Sequence, residues 1–170
     1  MLESVAERLS TQKSGIIDPD SINIDYIGTL PEGLQKLCDQ YKYPEKYPDR
    51  FSRAKQNILF LKEPETGKTF TARALTKALH AGLLAINCSQ LLDKYVGESK
   101  KKLESLIEQA ERYTRYFGRC IVFFDEFDTI ARRRGALGME HIRTTLNRLL
   151  SIIEQKNNNP NLIFIAATNS

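Results

Sequence analysis

The stretch Asn57-Ile58-Leu59-Phe60-Leu61, running into Lys62-Glu63-Pro64-Glu65-Thr66-Gly67-Lys68-Thr69, decides the fold. Its apolar half predicts a buried strand, Pro64 and Gly67 predict a tight loop, and a helix is expected to open at Gly67-Lys68-Thr69. That order of elements presents the orphan N–H groups of a helix N-terminus to an anion, phosphate above all. Gly67 permits close approach of the backbone, Lys68 is placed to reach the β- and γ-phosphates of a nucleotide, and the Thr69 hydroxyl is placed to sit on Mg²⁺.

Working outward, the pattern alternates. A helix is predicted from about Gly67 to His80, with Ala74, Leu75, Ala78 and Leu79 on one face and Gly82 as its stop. Leu83–Asn87 is a second strand, and Glu98 to about Tyr113 a second long helix with Leu103, Leu106, Ile107 and Ala110 at helical spacing. Cys120–Phe124 is apolar throughout, as a strand buried on both faces should be. Met139–Glu154 is a helix with Ile142, Leu146, Leu149, Leu150 and Ile153 inward, broken by Asn157-Asn158-Asn159-Pro160 before the strand Leu162–Ala167. Strands alternating with helices imply an α/β fold, a parallel sheet with helices on both faces.

The N-terminal part is less regular. Residues 1–22 are polar, with a short Leu2/Val5/Leu9 stripe that stops at Ser14-Gly15, and are expected to form a weak helix or arm; residues 23–170 form the domain. A helix is predicted after Pro31 with Leu34 and Leu37 inward, then a connecting loop over Tyr41–Arg53, where Pro44 and Pro48 stand among charges.

Composition bounds the class. With 170 residues, 41% of them apolar and 27% charged, the chain fits one soluble domain with a sizeable core. No apolar run approaches membrane-spanning length, and the first residues lack a signal-peptide core, so the expected setting is cytoplasmic. Cys38, Cys88 and Cys120 are widely spaced and make no CxxC pair, which gives zinc or redox chemistry little support. The net charge of +4 is mild. The runs Lys100–Lys102 and Arg132–Arg134 have no interleaved aromatics, so they fit solvated surface better than a nucleic-acid patch.

The third strand runs straight into Asp125-Glu126. At the carboxyl end of a central strand, Asp125 would hold Mg²⁺ through water and Glu126 would polarise an attacking water. The alternative is a pair of surface acids capping a strand, but ligands of open α/β sheets bind in the crevice where such a strand ends. The fourth strand ends in Thr168-Asn169, whose amide could orient that water or merely form a turn.

These pieces together resemble the nucleotide-binding core of an AAA+ ATPase, of the AAA group that includes katanin, spastin and the proteasomal ATPases. Asp25-Tyr26-Ile27-Gly28 resembles the segment lining the adenine pocket, so the resemblance places Ile27 and Gly28 against the base. Glu65, Thr66, Gly67, Lys68, Thr69 and Phe70 then bind nucleotide, Thr69 and Asp125 hold the metal, and Glu126 and Asn169 act in catalysis. Lys94-Tyr95-Val96-Gly97-Glu98-Ser99 resembles the group's pore loop, which implies that Tyr95, Val96 and Gly97 grip a polypeptide in the centre of a homo- or hetero-oligomeric ring. Apolar contact by an aromatic and a branched side chain suits such a sequence-tolerant grip, and Gly97 lets the loop bend. The expected activity is Mg²⁺-dependent ATP hydrolysis coupled to polypeptide remodelling, on a three-layer P-loop NTPase fold. The rivals are a nucleotide-binding adaptor subunit without turnover and a nucleic-acid-handling ATPase.

Two departures from the group bear on activity. Its phosphate loop reads Gly-Pro-Pro-Gly-Thr-Gly-Lys-Thr, whereas this chain has Lys62 and Glu65 at the first and fourth positions. A carboxylate ~5 Å from a phosphate, at an effective dielectric of ~20, repels it by about 3 kcal/mol, so weakened nucleotide binding is expected. The sequence also stops at Ser170, before the group's fifth strand, arginine fingers and helical lid, which the resemblance would place later. Missing arginine fingers would remove a contribution of ~10³-fold or more to phosphoryl transfer.

Overall fold

A computed structural model of the chain describes residues 15–23, 32–50, 57–61, 65–94, 98–133 and 140–168. Five strands form one sheet: β1 (Ile16–Ile17), β2 (Asn57–Leu61), β3 (Gly82–Asn87), β4 (Cys120–Asp125) and β5 (Leu162–Thr168). The helices are α1 (Glu32–Lys46), α2 (Glu65–Leu79), α3 (Cys88–Lys94), α4 (Ser99–Phe117), α5 (Phe127–Arg133) and α6 (Glu140–Lys156). The strand order is β1-β3-β4-β5-β2. β2 through β5 are parallel, so Leu61, Asn87, Asp125 and Thr168 all lie at one pole. The sheet is not wholly parallel: β1 pairs antiparallel with β3, Ile16 opposite Leu84 and Ile17 opposite Leu83.

The two-residue period of the strands sorts the core into two layers. Leu84, Ile86, Cys120, Val122, Phe124, Leu162 and Phe164 face α3, α4, α5 and α6. Leu83, Ile121, Phe123, Ile163, Ile165 and Ala167 face α1 and α2. Burial on both sides explains the unbroken apolar run of β4. Among the inward residues of α4, Leu103, Ile107 and Ala110 are buried and Leu106 is partly so.

Four local expectations need correction. The loop expected from Tyr41 is helix to Lys46, with Pro44 inside it. Burial of Cys38 and Tyr41 holds that end, and Arg119 donates from Nη2 to the Tyr41 carbonyl at 3.1 Å while pairing with Glu45 at 2.6 Å. Tertiary contacts thus offset the cost of a proline inside a helix, which removes one backbone hydrogen bond. Second, α2 is not stopped by Gly82. His80 takes the left-handed conformation, φ 51°, and the Ala81 and His80 N–H groups donate to the carbonyls of Thr76 and Lys77, closing the helix as a Schellman motif. Gly82 serves packing instead: a Cβ there would stand 2.6 Å from the Tyr113 ring. Third, on α6 Leu146, Leu149 and Ile152 are buried and Ile153 partly so, whereas Leu150 is 47% exposed; the Ile142 side chain lies outside the described residues. Fourth, α2 opens at Glu65, two residues earlier than expected. A carboxylate in a first helical turn is favoured by the helix dipole.

Residues 16 and 17 join the sheet, and the residues after them pack against α2. Beyond β1, Asp18 caps a short 3₁₀ turn at Pro19–Ser21, Ile22 is buried, and Lys77 donates to the Ile22 carbonyl at 2.8 Å. No helix among the described residues is long and apolar enough to cross a membrane.

Candidate functional site

The pole where the parallel strands end gathers the polar residues that interrupt apolar strands. β4 delivers Asp125 next to Asn87 of β3, its partner in register. Asp125 is only partly buried, and one of its oxygens accepts the Glu126 N–H at 2.9 Å. Glu126 follows with φ 53°, and its carbonyl accepts the Thr129 N–H at 2.9 Å, which starts α5. A left-handed backbone at a glutamate costs roughly 1–3 kcal/mol and persists only where the surroundings impose it. Here the sharp turn from β4 into α5 imposes it and leaves the Glu126 side chain half-exposed at the strand end.

The acids also mark their neighbourhood electrostatically. Burial pushes the Cys88 thiol up to about 12, and the nearby charges of Asp125, Glu126 and Asp128 add to that rise. Cys120 is likewise pushed up to about 12 by burial, and Cys38 is raised. All three cysteines are free and buried, so they are inert thiols rather than ligands.

An open pocket of about 240 Å³ lies beside Asp125 on the face that carries α2. Ile17, Ala85 and Phe123 form its apolar floor, and Arg73, Asn87, Gln90 and Asp125 its polar rim. The Asn87 side chain accepts the Gln90 N–H at 3.0 Å and so caps α3, the helix that leads toward residues 95–97. The Ser99 hydroxyl, buried, donates to the Leu91 carbonyl at 3.2 Å and ties the start of α4 back to α3.

The other expected site residues fall as follows. Glu65, Thr66, Gly67, Lys68 and Thr69 form the first turn of α2, directly after β2 and residues 62–64; their side chains lie outside the described residues. Phe70 is on the same helix and 45% exposed. Ile27, Gly28, Tyr95, Val96, Gly97 and Asn169 also lie outside the described residues; Asn169 directly follows Thr168, which pairs with Leu61. Two rim residues were passed over in the sequence although each carries a signal. Asn87 is a polar residue ending an apolar strand, as Asp125 is, and Arg73 follows Thr69 by four residues, one helical turn.

The donor set at this pole suits magnesium. Among the described residues no group of three or more His, Cys, Asp or Glu side chains converges. Mg²⁺ is commonly held by one or two protein oxygens, with phosphate and water completing its shell, and a carboxylate with one oxygen already fixed by a backbone N–H is a pre-oriented hard donor of that kind.

A central parallel strand ending in two carboxylates, beside a helix that opens at Glu65-Thr66-Gly67-Lys68-Thr69, defines the three-layer fold of P-loop nucleotide-binding domains. The chain belongs to the ATPase family associated with various cellular activities (AAA), whose family model matches residues 58–170. It is 31% identical over 165 residues to the cell division cycle protein 48 homolog of Archaeoglobus fulgidus, an alignment covering 94% of this chain and 22% of that protein. It is 33% identical over 159 residues to the 26S proteasome regulatory subunit 10B homolog A of Arabidopsis thaliana, covering 89% and 39%. Against the ATP-dependent zinc metalloprotease FtsH 1 of Thermomicrobium roseum the identity is 36% over 141 residues, covering 81% and 21%. The chain therefore spans well under half the length of each of these relatives.

Proposed function

We propose that this chain binds ATP with Mg²⁺ at the strand-end pole and hydrolyses it, in an oligomeric ring of AAA subunits that acts on polypeptides in the cytoplasm. The observation that carries the reading is the exit of the buried strand β4 into Asp125 and Glu126, on the same pole as the first turn of α2. In this reading the N–H groups of that turn and the Lys68 ammonium bind the phosphates, while Ile27 and Gly28 lie against the base. Thr69 and Asp125 would hold Mg²⁺, which when bound neutralises phosphate charge. Glu126 takes a proton from the attacking water and Asn169 orients that water. Tyr95, Val96 and Gly97 contact the polypeptide, at the far end of the α3 helix that Asn87 caps.

Family membership supports ATP chemistry, and the relatives named for the proteasome and for ATP-dependent proteolysis support a polypeptide substrate. Free buried thiols fit a reducing compartment. Isothermal titration with Mg-ATP, followed by phosphate release from the unmodified chain and from Glu126→Gln, tests the proposal. Binding in both with turnover only in the unmodified chain is the expected result. Binding with no Glu126-dependent turnover would leave a nucleotide-binding adaptor instead.

A further inference from the structure

Two complementary surface features stand on opposite faces of the sheet. On the face that carries α2, the pocket beside Asp125 exposes Ala85, although Leu83, Leu84 and Ile86 around it on β3 are buried. Its floor is apolar, and its rim carries Arg73, which is exposed and makes no ion pair among the described residues. On the other face, α6 packs by Leu146, Leu149 and Ile152 and turns Leu150 outward, 47% exposed. Of the large apolar side chains exposed among the described residues, Leu150 alone is aliphatic.

One exposed leucine is ordinary. What singles out Leu150 is its match to the pocket. Glu154 lies one helical turn away on the same stripe, is exposed, and makes no ion pair among the described residues. An apolar side chain beside a carboxylate thus complements an apolar floor beside a guanidinium. Asp125 repels a carboxylate, which favours seating Glu154 at Arg73 and away from β4. Arg143, the other charge on this stripe, is eleven residues from Glu154, about 16 Å along the helix, too far to offset that pairing.

The two features cannot meet within one chain. Leu83 and Phe123 of the pocket belong to the core layer that faces α1 and α2, whereas α6 packs on the opposite layer. They can meet only between copies. Because the two surfaces differ, the contact is head-to-tail, and such contacts close into a ring when the rotation allows. Resting on the ring reading above and naming its contact, we infer that Leu150 of one copy seats on Ala85 in the pocket of the next, with Glu154 paired to Arg73. The neighbouring copy thereby covers the open side of the pocket beside Asp125.

Assembly rather than hydrolysis is the readout, so loss of turnover does not affect the test. Sedimentation velocity, with and without Mg-ATP, is expected to show association of the unmodified chain. Leu150→Asp, Arg73→Glu and Glu154→Arg should each shift it about tenfold to higher concentration, and Arg73→Glu combined with Glu154→Arg should restore it. A second measurement leaves leucine and floor intact. Chains carrying Gln90→Cys are mixed with chains carrying Asn147→Cys, both exposed positions, and treated with a short bis-maleimide. A mixed dimer is expected in excess of either chain linked to itself, since Cys38, Cys88 and Cys120 are buried. Association with neither mixed dimer nor charge-swap rescue would overturn this contact and leave the ring reading standing. A chain that stays monomeric at every concentration would overturn both.

Discussion

The end of β4 and the start of α2 meet at one pole, but the molecule holds them differently. β4 lies between β3 and β5, its side chains are packed on both faces, and Asp125 is tied to the Glu126 N–H. α2 follows β2, which stands at the margin of the sheet and pairs only with β5 among the described residues. The carboxylates are thus placed by the core itself, whereas the first turn of α2 follows a strand paired on one side among the described residues. The residues that differ from the phosphate loop the resemblance implies, Lys62 and Glu65, also fall on the second half.

The position of Glu65 refines what that departure means. A glycine is needed where a loop must take a left-handed or crowded conformation. Glu65 is instead the first residue of α2, where helical dihedrals suit any L-residue. If the proposed site is right, its effect would be electrostatic: the carboxylate and a bound phosphate would compete for the same helix N-terminus.

The sharpest way to break the comparison is at β4. Glu126→Gln is expected to lower turnover at least a hundredfold while leaving Mg-ATP affinity within about threefold, measured by phosphate release and calorimetry. Lys68→Ala attacks the other half and should weaken Mg-ATP binding about a hundredfold, the loss of charge-assisted hydrogen bonds to phosphate. If Lys68→Ala spared affinity, the start of α2 would not be the phosphate site. Phe124→Ala tests whether the core places the acids. The ring is 1% exposed, stacks on Phe164 with centroids 6.4 Å apart, and lies edge-on to Phe127. Its removal is expected to cost about 3–5 kcal/mol in urea unfolding.

The smallest effect concerns alkaline pH. Folded Cys88 and Cys120 stay protonated up to about 12, above the usual thiol value of 9.0, so between those values the native state binds more protons than the unfolded chain. Stability contributed by these thiols is complete below pH 9 and is lost as pH rises toward 12. Urea midpoints measured from pH 8 to pH 10.5 should fall steadily, and a flat profile would mean that the thiols are not buried as described.

Much of this architecture is legible in the sequence, because strands buried on both faces write continuous apolar runs. Leu83–Asn87, Cys120–Phe124 and Leu162–Ala167 are found within a residue for that reason. Elements stabilised by distant partners are not legible. β1 is two residues long and exists through β3; α3 and α5 are seven residues each, too short to show a period. The helix across Pro44 depends on Arg119, far away in sequence. On α6, Leu150 fits the apolar spacing yet faces solvent because the packed stripe runs through Leu146, Leu149 and Ile152. At the site, Asp125 and Glu126 are legible as acids closing an apolar strand. The left-handed turn at Glu126 is not, since glutamate has no preference for that conformation.

The claim that both halves form one ATP site, with Glu65 weakening it, is tested most directly by calorimetric titration of Mg-ATP into the unmodified chain and into Glu65→Gly. A unit charge at ~5 Å, screened by salt and able to turn outward, leaves roughly 1.4 kcal/mol of its repulsion. The account predicts saturable binding to the unmodified chain that tightens about tenfold in Glu65→Gly. Folded proteins that both fail to bind, or that bind with equal affinity, would contradict it.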